Sequence, residues 1–277
     1  CYDAPTDPLY VAELVRVIRE GDTGAAMLNV EGQEPMPENT VVAYRSGARW
    51  VRTYVADTLE PKAPPLREKS VVLVTGGLGG IALTLSKALA DACAARLVLV
   101  SRRAFPPNAE WAARLAASET DPSTRDVLEK LLALEAAGSE VLVVAADVSN
   151  VEDMRRVARA ARTRFGAIHG VIHAAGVVKD ALVATKTERD IEQVFAPKVH
   201  GTLVLDEVLA GEALDFFVVF SSTSAITGPA GQVDYVAANA FLDAFAEERT
   251  TRTKQRTLSL AWGIWNDVGM AFSALHG

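Results

Sequence analysis

The sequence predicts an α/β protein built on a doubly wound parallel sheet, preceded by a short N-terminal unit. Three observations predict it. Beyond a proline-rich seam, Glu60-Pro61-Lys62-Ala63-Pro64-Pro65, six short runs rich in β-branched or aromatic residues alternate with helical segments. The runs are apolar nearly end to end, as strands covered on both faces require. The first of them leads into a glycine-rich turn that opens a helix.

Taken in chain order, Asp7-Pro8 reads as an N-cap followed by proline at the first helical position. Val11, Leu14, Val15 and Ile18 then recur at helical spacing until Gly21. Residues 41–45 and 49–55 flank Ser46-Gly47-Ala48 and read as a β-hairpin. A helix and a hairpin bury too little to stand alone. Residues 1–65 are therefore expected to be the tail of a neighbouring unit plus a linker, and 66–277 the main domain.

In the main domain, strands are expected over 71–74, 97–100, 141–144, 170–173, 216–220 and 257–261. Helices are expected over 81–95, 151–165, 188–209 and 236–250. The long connection between Arg103 and Val141 holds two more helical stretches, 108–117 and 123–137. Asn108 and Ser123 are the expected N-caps there, and Gly138 the stop.

Composition narrows the function classes. The 277 residues carry a net charge of −7, which leans against nucleic acid. No uncharged run is long enough to span a bilayer, and no secretory signal opens the chain. The missing start Met reads as a fragment of something longer. Two distant cysteines, Cys1 and Cys93, and four scattered histidines give neither a disulfide framework nor metal-ligand spacing. A cytoplasmic, metal-free protein is expected.

The glycine-rich turn is Thr75-Gly76-Gly77-Leu78-Gly79-Gly80-Ile81-Ala82. Gly77, Gly79 and Ala82 fit the G-x-G-x-x-G/A fingerprint at the first strand–helix turn, where a pyrophosphate can approach the backbone at a helix N-terminus. The second strand ends Ser101-Arg102-Arg103, where an NAD enzyme would place Asp or Glu for the ribose 2′-hydroxyl. A hydroxyl and two guanidinium groups suit a 2′-phosphate, so NADPH is the expected cofactor. Asp147-Val148, after the third strand, either meets the adenine edge or supplies an N-cap through Asp147. Ala174-Ala175-Gly176 follow the fourth strand and let a cofactor lie against the sheet edge.

A second constellation lies further along. Ser222 closes the fifth strand, and Tyr235 stands thirteen residues later at the start of a helix. A serine at a strand's carboxyl end and a tyrosine on the next helix can converge over the cofactor crevice. Tyrosine titrates near pH ~10, so acid catalysis near neutrality is helped by a nearby cation. Lys198, in Phe195-Ala196-Pro197-Lys198-Val199, is the candidate.

These residues resemble the ketoreductase domains of modular type I polyketide synthases, in the short-chain dehydrogenase/reductase superfamily. Stand-alone members usually carry lysine four residues after the tyrosine. This chain has Asn239 there, with Lys198 upstream, which is the synthase pattern. Similar stretches are 75–81, 173–177, 195–201, 235–241 and Trp262-Gly263-Ile264-Trp265 with Gly269-Met270-Ala271. The stretches Val41-Val42-Ala43-Tyr44-Arg45 and Ala48-Arg49-Trp50-Val51 resemble the end of the structural subdomain, a degenerate cofactor-free copy of the fold. The chain stops at Gly277, where the family places a lid helix.

The resemblance implies a Rossmann-type fold and reduction of a β-keto group on an acyl chain carried by an acyl carrier protein, among other synthase domains. It implies that Tyr235 donates a proton, Ser222 hydrogen-bonds the same oxygen, Lys198 binds the nicotinamide ribose, and Asn239 holds a ribose contact or a relay water. One stereochemical class carries Leu-Asp-Asp after the fourth strand; here it is Val178-Lys179-Asp180, keeping the last aspartate. The other class carries Trp eight residues before the tyrosine, where this chain has Thr227. The B-type outcome, a 3R (D) hydroxyl, is expected, unless Asp180 serves only to cap the next helix. A stand-alone short-chain alcohol dehydrogenase and a non-reducing Rossmann scaffold are the competing readings. The upstream lysine and the hairpin speak against the first, and the complete residue set against the second.

Overall fold

The structure, a computed structural model, describes residues 42–45, 48–51, 66–265 and 269. The expected N-terminal helix, the proline-rich seam, Cys1 and the segment after Gly269 lie outside the described residues. The expected hairpin is present: β1 (Val42–Arg45) pairs antiparallel with β2 (Ala48–Val51), Val42 opposite Val51.

The remaining strands among the described residues are β3 (Val71–Thr75), β4 (Arg96–Ser101), β5 (Glu140–Ala145), β6 (Gly170–His173), β7 (Phe216–Ser222) and β8 (Thr257–Trp262). They form one all-parallel sheet in the order β5-β4-β3-β6-β7-β8. The chain starts in the middle, winds outward to β5, then crosses back to β6 and winds outward the other way. This is the expected doubly wound, Rossmann-type sheet. Its topological switch point lies between β3 and β6, and ligands of such sheets bind outside the strands' carboxyl ends there.

Helices cover both faces. On one face lie α1 (Gly80–Cys93), α2 (Trp111–Ala116) and α3 (Pro122–Ala136). On the other lie α4 (Val151–Phe165), α6 (Gly201–Val208) and α8 (Val233–Thr253). Two short helices complete the set among the described residues, α5 (Glu188–Phe195) and α7 (Ser224–Thr227). Strand residues alternate between the two cores: Val72, Val74, Leu97, Leu99, Phe216 and Val218 face the α1 side. Val71, Leu73, Val98, Val100, Phe217 and Val219 face the α4 side. Both faces are apolar because both are buried, which is why the strands read as continuous runs.

Three local expectations are corrected. Asn108 does not cap a helix; it opens a 3₁₀ turn (Asn108–Glu110) after Pro107, and its amide hydrogen-bonds Glu135. Ser123 does not cap α3 either: Asp121 does, accepting from the Thr124 N–H at 2.9 Å, with Pro122 at the first helical position. The single helix expected over 188–209 is broken. Pro197 has no N–H to continue the ladder, and residues Ala196–His200 form a π-turn between α5 and α6. In it the Gly201 N–H reaches back to the Ala196 carbonyl. Gly138, the expected stop of α3, does adopt a positive φ of 92°.

Candidate active site

At the cofactor end, the turn after β3 is shaped by two glycines. Gly76 has φ +65°, and a Cβ there would stand 2.8 Å from the Ala174 carbonyl oxygen of the switch-point loop. The Gly77 N–H donates to Val100 O at 2.9 Å, and a Cβ on Gly77 would come within 2.9 Å of Leu99 Cα. These two glycines therefore fit the turn against β6 and β4, a packing role the fingerprint alone did not assign to Gly76. Leu78 and Ile81 anchor the turn on the core. Gly79 is exposed at the N-cap of α1, with no side-chain cap and no acidic residue in the first turn. The first-turn N–H groups from Gly80 onward and the helix dipole thus present positive potential.

Ser101 Oγ accepts from the Arg103 N–H at 3.2 Å, while Arg102 and Arg103 are exposed beside the turn and Arg103 lies 5.8 Å over the Phe105 ring. Asp147 does not cap α4: Asn150 does, accepting from the Glu152 and Asp153 N–H groups. Asp147 instead folds its own loop, accepting from Ser149 N–H at 2.9 Å and Ser149 Oγ–H at 2.6 Å. The Val148 side chain is buried against Gly201. Ala174, Ala175 and Gly176 lie half-buried after β6, with the Ala174 N–H donating to Thr75 O at 3.2 Å.

The structure brings the four catalytic candidates together. Ser222 ends β7; Tyr235 and Asn239 lie one turn apart on α8; Lys198 rises from the π-turn. Lys198 is 3% exposed, donates from Nζ to Phe220 O at 2.8 Å, and stands 5.3 Å from the Tyr235 ring centroid. Burial lowers its pKa to about 7, against which the Asp243 carboxylate pulls upward. Asn239 Nδ2 donates to Tyr235 O at 2.7 Å, and Ser221 Oγ donates to Asn239 O at 3.2 Å.

Burial pushes the Tyr235 phenol up from its ordinary value, with the Asp180 charge adding to this; hydrogen bonds with Ser222 and Asn239 pull it back. The lowering expected from Lys198 is not what dominates. Desolvation is the largest influence and keeps the phenol protonated near neutral pH.

Asp180 does not cap a helix. Leu182 precedes the 3₁₀ turn Val183–Thr185, and Thr187 caps α5 with a reciprocal Asp190 box. The Asp180 carboxylate instead accepts from Gln232 Nε2 at 3.0 Å, three residues before the tyrosine.

Sequence reasoning missed the groups that hold this arrangement. Lys186 and Asp234 form an ion pair at 2.8 Å with side chains only 2% and 1% exposed. Lys186 Nζ also donates to Lys179 O, and Asp234 accepts from the Tyr235 N–H at 2.9 Å. His173 bridges Thr75 and Pro197. Ser259 of β8 donates to Asp243 at 2.6 Å, fixing the carboxylate that acts on Lys198. No local pattern marks these pairs, whose partners lie 16–98 residues apart in sequence. Only the Asp immediately before the tyrosine stands at a place that invites suspicion.

The residues fit a dinucleotide. The α1 N-terminus is uncapped, and Asn239 Oδ1 is buried with no hydrogen-bond partner among the described residues. Among those residues no His, Cys, Asp or Glu group is placed to hold a metal ion, and no helix is long and apolar enough to cross a membrane.

Comparison with known proteins follows the same lines. The KR-domain family matches residues 70–267. The 6-methylsalicylic acid synthase of Aspergillus terreus is 42% identical over 208 residues, 75% of this chain and 11% of that protein. A solved ketoreductase domain from the bacillaene assembly line is 36% identical with a TM-score of 0.68, covering 83% of this chain and 52% of that one. A solved A1-type ketoreductase is 32% identical with a TM-score of 0.67, covering 83% and 45% respectively. The chain thus spans a small part of the synthase it matches and about half of the solved domains.

Proposed function

The chain belongs to the KR-domain family, the oxidoreductase domains of polyketide synthases that use a nicotinamide cofactor, and from that premise we propose NADPH-dependent reduction of a β-keto group to a β-hydroxyl. The substrate is an acyl chain borne by a carrier protein, and the reaction belongs to a multidomain synthase. The observation that carries the reading is the convergence of Ser222, Tyr235, Lys198 and Asn239 at the carboxyl edge of the sheet, beside the switch point.

NADPH would be held by the turn Gly76–Ile81 and the first turn of α1, with Ser101, Arg102 and Arg103 at its 2′-phosphate. Asp147-Val148 would lie along the adenine, Ala174–Gly176 along the nicotinamide half, and Lys198 and Asn239 at the nicotinamide ribose. When bound, the cofactor supplies the hydride for the β-carbon.

The chain's own residues handle the oxygen. Tyr235, kept protonated by burial, gives its phenolic proton to the oxygen as negative charge develops there. Ser222 donates a hydrogen bond to the same oxygen, stabilising it as an oxyanion hole does. A hydrogen bond from Asn239 favours the resulting phenolate, and the Lys198 charge beneath the ring adds to this. Asn239 Oδ1, buried and unpartnered, is positioned for a ribose hydroxyl or a relay water.

We assign the product hand as B-type, giving a 3R (D) hydroxyl. Asp180 beside Gln232 and Thr227 in place of a tryptophan support this; the fold is neutral, since an A1-type domain superposes equally well. The test is loss of NADPH absorbance with a carrier-bound β-ketoacyl chain, followed by chiral analysis of the alcohol. Turnover with NADPH, weaker turnover with NADH and mainly the 3R product are expected. Equal or better use of NADH contradicts the cofactor assignment, and mainly the opposite alcohol contradicts the stereochemical one.

A further inference from the structure

Pro197 interrupts the helical ladder immediately before Lys198. In an α-helix its carbonyl would accept the Gly201 N–H, but that N–H is drawn back to Ala196 across the π-turn. The Pro197 carbonyl lies 2.9 Å from Nε2 of His173, the last residue of β6. The other ring nitrogen, Nδ1, lies 2.6 Å from the hydroxyl of Thr75, the last residue of β3. A carbonyl only accepts, so Nε2 carries the proton and Nδ1 accepts from Thr75. Both bonds then have a fixed direction.

The ring joins two strand ends at the switch point to the turn that carries the lysine. It is 1% exposed, so an unsatisfied nitrogen would be costly there. The same turn aims Lys198 at Phe220 O and at the Tyr235 ring. We propose that His173 is a positioning residue for the reduction: its Nε2–H on the Pro197 carbonyl holds the π-turn and so sets where Lys198 Nζ stands relative to Tyr235. The role rests on the ketoreductase reading, because the lysine–tyrosine geometry matters only if Tyr235 gives the proton. Burial, with the facing Lys198 charge, lowers the His173 pKa to about 3, so the ring stays neutral while the enzyme works. Other charged groups near this arrangement are Asp243, acting on Lys198, Asp180, acting on Tyr235, and the Lys186–Asp234 pair at the Tyr235 N–H.

The test compares His173→Gln, His173→Asn and His173→Phe in NADPH-dependent reduction of a β-keto thioester. A glutamine amide reaches the place of Nε2–H and keeps the donor to Pro197; the shorter asparagine amide matches Nδ1 and does not. In the Asn and Phe variants kcat should fall about ten- to hundred-fold, the cost of a displaced catalytic group, with KM and NADPH affinity little changed. The Gln variant should recover most of kcat. The alkaline limb of the pH profile, set by Lys198, should move in Asn and Phe and stay in Gln. A Phe variant with wild-type kcat and an unmoved limb overturns the proposal.

Because the variants can lose structure, ¹⁵N NMR of the wild-type histidines gives a second test. His173 should be the Nε2–H tautomer and remain neutral down to about pH 5. The Nδ1–H tautomer, or a ring titrating at its ordinary value, also overturns it. A chain with the expected tautomer that binds NADPH but reduces no β-keto thioester overturns the ketoreductase reading, and the positioning role with it, while the hydrogen bonds stand.

Discussion

Between β3 and β5 the site is built from backbone, with two glycines wedged against neighbouring strands and an uncapped helix N-terminus. Between β6 and β8 it is built from buried polar side chains: His173, Lys186, Lys198, Ser222, Asp234 and Asn239. The first half needs small residues in a fixed local order. The second needs long side chains held by partners distant in sequence, each of which would be costly to bury alone. A cofactor common to many enzymes can be gripped by main chain, whereas proton transfer demands particular side-chain atoms in particular places.

The largest effect that sharpens this contrast is expected at the buried ion pair. Asp234→Ala leaves Lys186 buried without its partner, which should cost about 3–5 kcal/mol in denaturant unfolding. Replacing both residues with apolar ones of similar size should restore much of that stability. A single variant as stable as the parent would show that the pair does not hold the catalytic half together.

On the cofactor side, Gly77→Ala drives a methyl into the Val74 carbonyl and Leu99 backbone, each within 2.9 Å. It should cost about 1–3 kcal/mol, as overpacking does, and weaken NADPH binding in a fluorescence titration. Unchanged binding and stability would mean the turn is looser than its packing indicates.

The smallest effect is a pH limb. Lys198 has its pKa lowered to about 7, so it loses its charge as pH rises through that value. For the free enzyme kcat/KM should therefore fall on the alkaline side, by no more than about tenfold per pH unit. Lys198→Arg, which keeps its charge, should move that limb to higher pH. A flat profile in the parent through this range would detach the lysine from the chemistry.

How much was legible follows the same division. The strands were legible because each is covered on both faces, and the glycine turn because its pattern is contiguous. Ser222, Tyr235, Lys198 and Asn239 were legible as residues, and the structure brings them together. The π-turn was not read, although Pro197 stood inside the expected helix as its cause. The cap at Asp121 was misread for Ser123, and the one at Asn150 was left open between two roles of Asp147, because several capping residue types cluster at both places. His173 and the Lys186–Asp234 pair could not be read, since each is defined by a partner from a separate element. The tyrosine's upward shift was hidden too, because burial is a property of the fold.

The division between a backbone-built cofactor half and a side-chain-built catalytic half is tested most directly by Tyr235→Phe. NADPH affinity, measured by fluorescence titration, should be nearly unchanged, while reduction of a carrier-bound β-keto thioester should fall by about 10²–10⁴-fold, the usual worth of a general acid. Turnover near that of the parent, or loss of NADPH binding together with turnover, would contradict the account.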